Sequence, residues 1–370
     1  MEELRLFQDK KLYLTITLIT LLLALLACSR EEEKPQKIIE EQRNNDKIKV
    51  NHRDKENIKN QQKLADSIIV KTPNYTYTML KKQLIKLEQN YNNYLQLSSI
   101  GKSVQGRKLY LLKVGTGKEK IGVIGGVHGR EGITSLLTLK LAEDYIRAMI
   151  RGAKINNYNL TEILKKTSFY FIPMLNPDGV EIAINGIKKL DNKEFYLVAN
   201  QNSSDFKRWK ANAHGVDLNK QFKANWQKLK AEKRPHFAHY KGPSPESEPE
   251  SKALAELTRQ EEFDAVVAFH SSGDVIYWYY NQAEESYQRD YQLAKALSAK
   301  NGYRIVKAKE SDKVAAGYKD WFIKKFHRPG FTIEIGSEIN EKPLPSYELA
   351  KYFQENREVL LELALLINTN

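Results

Sequence analysis

Cysteine is nearly absent from these 370 residues; Cys28 is the only one. No disulfide can form within the chain, and a cysteine-built zinc site is excluded. Uncharged runs are also short. The longest runs from Leu12 to Ser29, and its mostly apolar part before Cys28, residues 12–27 (LYLTITLITLLLALLA), has 16 residues, fewer than the roughly 20 that a spanning helix needs. No internal repeat is visible. No stretch interleaves basic and aromatic residues in the manner of a nucleic-acid module, so nucleic acid is not an expected partner. Acidic residues are outnumbered, Asp+Glu 46 against Lys+Arg 59, which leaves a net charge of +13. That balance suits an anionic polymer or lipid surface, or reflects a lysine-rich chain with no such partner.

What is present begins with an address. Arg5, Lys10 and Lys11 precede the 16-residue run, which has the charged start and apolar middle of a secretory signal. It ends in Leu25-Leu26-Ala27-Cys28, which resembles a bacterial lipobox with Cys28 as the lipidated residue. The alternative is an uncleaved signal anchor with an idle cysteine. In either case the remainder is expected outside the cytoplasmic membrane, lipid-anchored in the cell envelope in the first. Residues 29–73 follow as a charged, flexible tether; residues 29–66 hold ten Lys/Arg and nine Asp/Glu and cannot bury enough apolar surface to fold alone.

The chain as a whole is 41% hydrophobic, enough for a real core, and no second linker divides residues 74–370. YTYTMLKKQLIKLEQNYNNYLQL has helical spacing. RKLYLLKV, IGVIGGV, SFYFIPML, DAVVAF, VIYWYY and GFTIEI read as strands. EGITSLLTLKLAEDYIRAMI, YQLAKALSAKNG, AGYKDWFIKKF and a long terminal SYELAKYFQENREVLLELALLI read as helices, and NPDG reads as a turn. Strands alternating with helices predict a single-domain α/β fold, one sheet with helices on both faces.

Three polar residues mark strand ends. His128 follows IGVIGGV, His270 follows DAVVAF, and Glu334 interrupts FTIEI. Ligands of open α/β sheets bind at the carboxyl ends of strands, so these residues can converge, with Glu131 three residues after His128. Two histidines and a carboxylate make a catalytic zinc set with one position left for water, and a further carboxylate, Glu334, can move the proton. Taken singly, His128 and Glu131 equally describe a capped helix start, and His270 a satisfied core histidine. A carboxylate within an apolar strand is harder to explain without a partner.

In order along the chain, GGVHGREG, MLNPDGVE, RWKANAHGVDLNKQF, GPSPESEPES, VVAFHSSGDVIYW, GYKDWF and FTIEIG resemble the M14 zinc carboxypeptidases from about residue 74 onward. The resemblance implies a mixed, mainly eight-stranded sheet and one Zn2+ per chain held by His128, Glu131 and His270. It implies Glu334 as general base, Lys210 at the oxyanion position, Arg130 near the substrate, and Asn219 with Lys220 where the family grips a terminal carboxylate. It also implies Lys319 at the specificity position before Asp320-Trp321. Lysines at 210 and 220 stand where the digestive enzymes have arginines, and lysine lacks the planar two-pronged grip. Their tyrosine eight residues before Asp-Trp is Asp312 here, and Tyr318 is not its equivalent by spacing; core packing is its expected role.

Within the family, WKAN and NPDG look most like bacterial γ-D-glutamyl-diaminopimelate peptidases, which cut peptidoglycan stem peptides. A cell-wall peptidase is the leading expectation, acting on peptide substrates as a monomer. A broader carboxypeptidase is the alternative, and an inactive tethered binding protein a third reading. Lys319 either faces the cleft, favouring an acidic or zwitterionic substrate, or is a solvated surface lysine. His214, His236, His239 and His327 are expected to be surface or structural residues.

Overall fold

The computed structural model describes residues 67–69, 72, 74–307, 315–338 and 340–368. The signal run, Cys28, most of the tether and Asp312 lie outside these residues. The described chain clusters into one unit from Ser67 onward. Ser67 Oγ donates to Glu143 Oε2 at 2.5 Å, the Ile68 N–H donates to Glu143 Oε1 at 2.5 Å, and Ile69 is 3% exposed.

Eight strands form one mixed sheet: β1 (Leu95–Lys102), β2 (Lys108–Val114), β3 (Glu119–Ile124), β4 (Thr167–Ile172), β5 (Ala265–Ser271), β6 (Val275–Tyr277), β7 (Arg304–Ile305) and β8 (Gly330–Ile335). Their spatial order is β1-β2-β4-β3-β5-β8-β6-β7. The four central strands β4, β3, β5 and β8 run parallel. They read as continuous apolar runs because both faces are covered, the usual state of parallel strands. The alternation survives within them. Val266 and Ala268 of β5 join a buried cluster with Leu254, Tyr318 and Phe322 on one face. Residues of period two point to opposite faces, so Val267 and Phe269 are buried on the other.

Helix α1 (Tyr77–Tyr91) precedes the sheet. Helix α2 (Gly132–Ile150) packs against β3, β4 and β5. Helix α3 (Leu160–Lys166) leads into β4, and α4 (Pro177–Asn185) and α5 (Lys193–Ala199) follow it. Helix α6 (Pro249–Glu261) and α8 (Tyr318–Phe326) supply the Leu254, Tyr318 and Phe322 layer, while α7 (Glu284–Asn301) lies between them in sequence. Helices α9 (Leu349–Asn356) and α10 (Val359–Ile367) close the described chain.

Three local expectations are corrected. The helical reading of residues 75–97 ends at Tyr91, and Leu95 and Leu97 belong to edge strand β1. NPDG is the start of α4: the Asn176 side chain accepts from the Gly179 N–H at 2.9 Å and Pro177 occupies the first turn, where its missing N–H is harmless. The terminal helix breaks between Asn356 and Val359. There the Tyr145 hydroxyl donates to the Arg357 carbonyl at 2.8 Å, and Arg357 Nε donates to Asp144 at 2.7 Å, tying the break to α2.

Candidate active site

Strand β3 ends at Ile124, and the chain turns through Gly125 and Gly126 before His128. A short 3-10 turn, Gly129–Glu131, then delivers Glu131 and starts α2. This turn lies hard against two other loops. A Cβ on Gly129 would stand 2.4 Å from the Gly179 carbonyl oxygen and 2.8 Å from that of Trp209, so only glycine permits the approach. The Gly129 N–H donates to the Lys210 carbonyl at 3.1 Å. Asn176 Nδ2 donates to the carbonyls of Val127 and Ala211 at 3.2 and 3.1 Å, pinning the His128 segment to the segment that carries Lys210.

From the neighbouring strand, His270 enters as the sixth residue of β5. In the parallel register its partner on β8 is Glu334, which puts these two residues side by side at the carboxyl ends of their strands. His128, Glu131 and His270 are all but fully buried, and one donor atom from each lies within 4.8 Å of the others. His128 Nδ1 is 2.8 Å from Glu131 Oε1, and His270 Nδ1 is 3.1 Å from Glu131 Oε2 and 3.0 Å from His128 Nδ1. Two imidazole nitrogens facing each other beside one carboxylate form a donor set that a cation holds together. His270 Nε2 is buried with no hydrogen-bond partner among the described residues. Nitrogen, nitrogen and oxygen in this number fit zinc with an open position. Among the described residues this is the cluster able to hold a metal.

Asp217 was missed at the sequence level. It precedes the short turn Leu218–Lys220, and its Oδ1 lies 3.2 Å from His128 Nε2, a carboxylate behind a metal-facing imidazole. Its other oxygen accepts from the His239 N–H at 3.3 Å. Burial opposes its ionisation, but the His128 hydrogen bond and the charges of His128, Lys210 and Lys220 hold it well below the usual carboxylate range. Burial opposes Glu131 in the same way, and the His128 and His270 rings outweigh it, so this carboxyl too is held well below its ordinary value. The available signal was spacing alone, since Asp217 stands two residues before Asn219. Asn176 had a signal as well, the NPDG motif, but it was read as a turn.

Glu334 behaves differently. Burial pushes its carboxyl up to about 7; the positive neighbours His270, Lys210 and Arg130 oppose that, and Glu131 adds to it. Glu334 borders a cavity of about 260 Å³ together with Asn219, Lys319, Asp320, Tyr277 and Thr332. The Asn219 side-chain oxygen accepts from the Tyr318 N–H at 3.1 Å, which fixes its amide against the start of α8. Lys319 is 7% exposed, so it is not a solvated surface lysine. Its Nζ donates to the Tyr279 carbonyl at 2.7 Å and lies 2.6 Å from Asp320 Oδ1. Asp320 Oδ2 accepts from the Gly317 N–H at 3.0 Å, capping the helix. Tyr318 is packed against Phe222 and Trp321, in line with its expected core role.

The remaining expected residues lie around the same cleft. Lys210 and Lys220 are half-buried, and their charges reach Asp217 and His239. Arg130 borders a second cavity, beside Gly129 and Gly132. The other described histidines stand outside the metal cluster. His214 Nδ1 lies 2.8 Å from Glu248, His236 Nδ1 donates to the Ala238 carbonyl at 2.7 Å, and His327 ends α8 with a left-handed φ of 55°.

Residues 80–359 match the family model described as zinc carboxypeptidase. Over 303 residues the chain is 35% identical to gamma-D-glutamyl-L-diamino acid endopeptidase 1 of Lysinibacillus sphaericus, covering 81% of this chain and 74% of that protein. It is 28% identical to human carboxypeptidase B over 259 residues, covering 64% of this chain and 57% of that one. Among solved structures, thrombin activatable fibrinolysis inhibitor superposes with a TM-score of 0.66 at 21% identity, over 85% of this chain and 81% of that chain, which speaks for the fold. Order of motifs, sheet topology and the buried histidine–glutamate–histidine cluster agree with these matches, and the chain belongs to the M14 zinc carboxypeptidase family.

Proposed function

We propose that this zinc peptidase hydrolyses amide bonds of peptidoglycan stem peptides, at the bond between γ-D-glutamate and diaminopimelate. The observation that carries the substrate is the buried Lys319–Asp320 pair bordering the cavity beside Glu334. A cation and an anion side by side match the far end of diaminopimelate, which bears an ammonium and a carboxylate on one carbon. The relative whose name specifies a γ-D-glutamyl-L-diamino acid bond supports the same reading.

The residues divide the work as follows. His128, Glu131 and His270 hold the metal, and Asp217 fixes the His128 ring. When bound, zinc supplies an acidified water and a Lewis acid for the amide carbonyl. Glu334 takes the proton of the attacking water and delivers it to the leaving amine; a carboxyl near 7 is matched to both halves of that transfer at neutral pH. Lys210 offers a positive charge to the oxygen of the tetrahedral intermediate. Asn219 and Lys220 stand ready for a carboxylate of the departing residue, and Lys319 with Asp320 for its side chain.

We further propose that this chemistry lies on the outer side of a bacterial cytoplasmic membrane, tethered by a lipid on Cys28 and by the charged segment after it; the charged start, apolar run and lipobox-like Leu25-Leu26-Ala27-Cys28 support that reading. Cys28→Ala should release the protein from the membrane fraction; an unchanged distribution would sink the anchor. For the activity, L-Ala-γ-D-Glu-diaminopimelate peptides and ordinary peptides are supplied side by side, with and without chelator. Chelator-sensitive cleavage at the γ-D-Glu bond that is lost in Glu334→Gln is the expected result. Cleavage of ordinary C-termini alone would overturn the wall substrate in favour of a broad carboxypeptidase.

A further inference from the structure

GPSPESEPES, residues 242–251, contributes no residue to the metal cluster or to the cavity beside Glu334. It nevertheless holds two amides that stand at either end of residues 212–221, the segment carrying Asp217, Asn219 and Lys220. Asn212 and Gln221 are both 0% exposed. Asn212 Nδ2 donates to Glu248 Oε2 at 2.7 Å and to Glu250 Oε2 at 3.2 Å, and its Oδ1 accepts from the N–H groups of His214 and Val216 at 3.0 and 3.1 Å. At the far end, Gln221 Oε1 accepts from the Glu248 N–H at 3.1 Å and from the hydroxyls of Ser251 and Ser247 at 3.1 and 3.2 Å. Gln221 Nε2 donates to the carbonyls of Lys241 and Ser244 at 2.6 and 3.2 Å. Every donor and acceptor of the two amides is engaged, so neither can move without leaving buried polar groups unpaired. Glu248 is buried as well; its Oε2 also lies 2.8 Å from His214 Nδ1, and its Oε1 accepts from the Ser247 hydroxyl at 3.0 Å.

Between the two amides the chain has a single 3-10 turn, Leu218–Lys220, and no other regular structure. Side-chain anchors must therefore fix its course. Asp217 carries that course to the metal cluster: its Oδ1 accepts from the Asn219 N–H at 3.1 Å and lies 3.2 Å from His128 Nε2. A misplacement of about 1 Å in such a site can cost about 10²-fold. We infer that Asn212 and Gln221 are positioning residues: fastened to residues 241–251, they hold Asp217 against His128, and Asn219 with Lys220 where a substrate carboxylate is gripped. This step rests on the reading given above, in which Asn219 and Lys220 receive a carboxylate of the departing residue.

The test measures binding to the zinc-loaded full-length Glu334→Gln protein by calorimetry. The two ligands are L-Ala-γ-D-Glu-diaminopimelate and its counterpart amidated at the α-carboxyl of the diaminopimelate centre joined to glutamate. The acid should bind at least about tenfold more tightly than the amide, the size expected of a charge-assisted hydrogen bond, and Lys220→Met should remove the preference. Asn212→Asp keeps both acceptor bonds but sets a carboxylate against Glu248, and should lower the preference about threefold or more. Glu248→Gln in the same chain exchanges donor and acceptor and should restore it. Gln221→Met should lower it as well. Lost stability alone leaves the ratio of the two affinities unchanged, because the fitted stoichiometry counts the folded molecules. Where Gln221→Met fails to fold, Ser247→Ala with Ser251→Ala, which removes two donors to Gln221 Oε1, takes its place with the same expectation. An undiminished preference would overturn the role of the amide concerned, and so would a loss in Asn212→Asp that Glu248→Gln does not restore. The carboxylate reading fails separately, when acid and amide bind equally or not at all, or when Lys220→Met keeps the preference. Zinc affinity then decides through Asp217: a weakening of about threefold or more in Asn212→Asp that Glu248→Gln restores would uphold the inference, and an unchanged affinity would end it.

Discussion

At Glu131 the carboxylate has imidazole nitrogens at 2.8 and 3.1 Å, and its proton is held off well below the ordinary range. At Glu334, beside His270 in the parallel register, the carboxylate borders a cavity, and burial lifts it to about 7 against the positive neighbours His270, Lys210 and Arg130. Same chemical group, same cleft, opposite shifts. The difference separates the two jobs that hydrolysis needs. A permanently ionised carboxylate can ligate a cation, and one that is half-protonated at neutral pH can accept a proton and give it back. Which glutamate does which is therefore decided by neighbours, and each neighbour can be removed.

The largest effect should come from emptying the first corner. Chelation is expected to bring peptide hydrolysis below detection and added zinc to restore it, because both the water's acidity and the carbonyl's polarisation come from the metal. Activity that survives exhaustive chelation would break the assignment of His128, Glu131 and His270. In the second corner, Glu334→Gln should lower kcat by about 10²–10⁴ while the protein still binds one zinc. Loss of zinc in that variant would mean that Glu334 is a ligand, and the contrast between the two glutamates would collapse.

A smaller effect is expected behind His128. Asp217→Asn keeps the shape but removes the charge that the imidazole leans on, and should weaken zinc affinity or activity by about 10–100-fold. Zinc titration against a competing chelator reads this directly. An unchanged affinity would confine Asp217 to loop structure.

Asp217 also shows where the sequence stops being legible. His128, His270 and Glu334 could be found because each closes or interrupts an apolar run, and in a parallel sheet every such end points to the same edge. Asp217 and Asn176 sit in loops whose partners are far away along the chain, 89 residues in the case of His128 and Asp217. No local period encodes such a meeting. Edge strand β1 was hidden for a related reason. Leu95 and Leu97 satisfy a strand's period of two, but they follow a strong helical pattern without an intervening glycine or proline. At the break in the terminal helix, Tyr145 and Asp144 of α2 hold the Arg357 carbonyl and guanidinium together, contacts that exist only once the chain has folded. Motif order singles out Lys319 before Asp320-Trp321, but its burial and its pairing with Asp320 are visible only in the structure.

The pH profile sharpens the comparison further. Only the ionised form of Glu334 can take a proton, so kcat/KM should rise as pH increases through about 7, by about tenfold between pH 6 and pH 8. The rising limb belongs to this carboxyl if it reflects burial. A profile already flat from pH 5 upward would place Glu334 near the ordinary carboxylate range and remove its distinction from Glu131.

The smallest effect on hydrolysis, though not on stability, is expected from a third buried carboxyl, remote from the metal. Glu250 of α6 accepts from the Val104 N–H at 3.0 Å and from Asn212 Nδ2 at 3.2 Å, and burial, with Asp178 nearby, raises it from 4.5 to about 7. The folded state thus binds a proton more tightly than the unfolded chain. Its contribution to stability is full below about pH 4.5 and is lost as pH rises toward 7, by an amount on the order of 3 kcal/mol. Glu250→Gln cannot ionise, so its stability relative to wild type should climb between pH 4.5 and 7 and level off above. Denaturant unfolding of both proteins at pH 5 and pH 8 isolates this difference from every other titrating group. A constant difference would mean that the Val104 and Asn212 hydrogen bonds offset burial completely. Glu250 would then resemble Glu131, a buried carboxylate kept ionised by its partners, and burial alone would no longer explain the shift at Glu334.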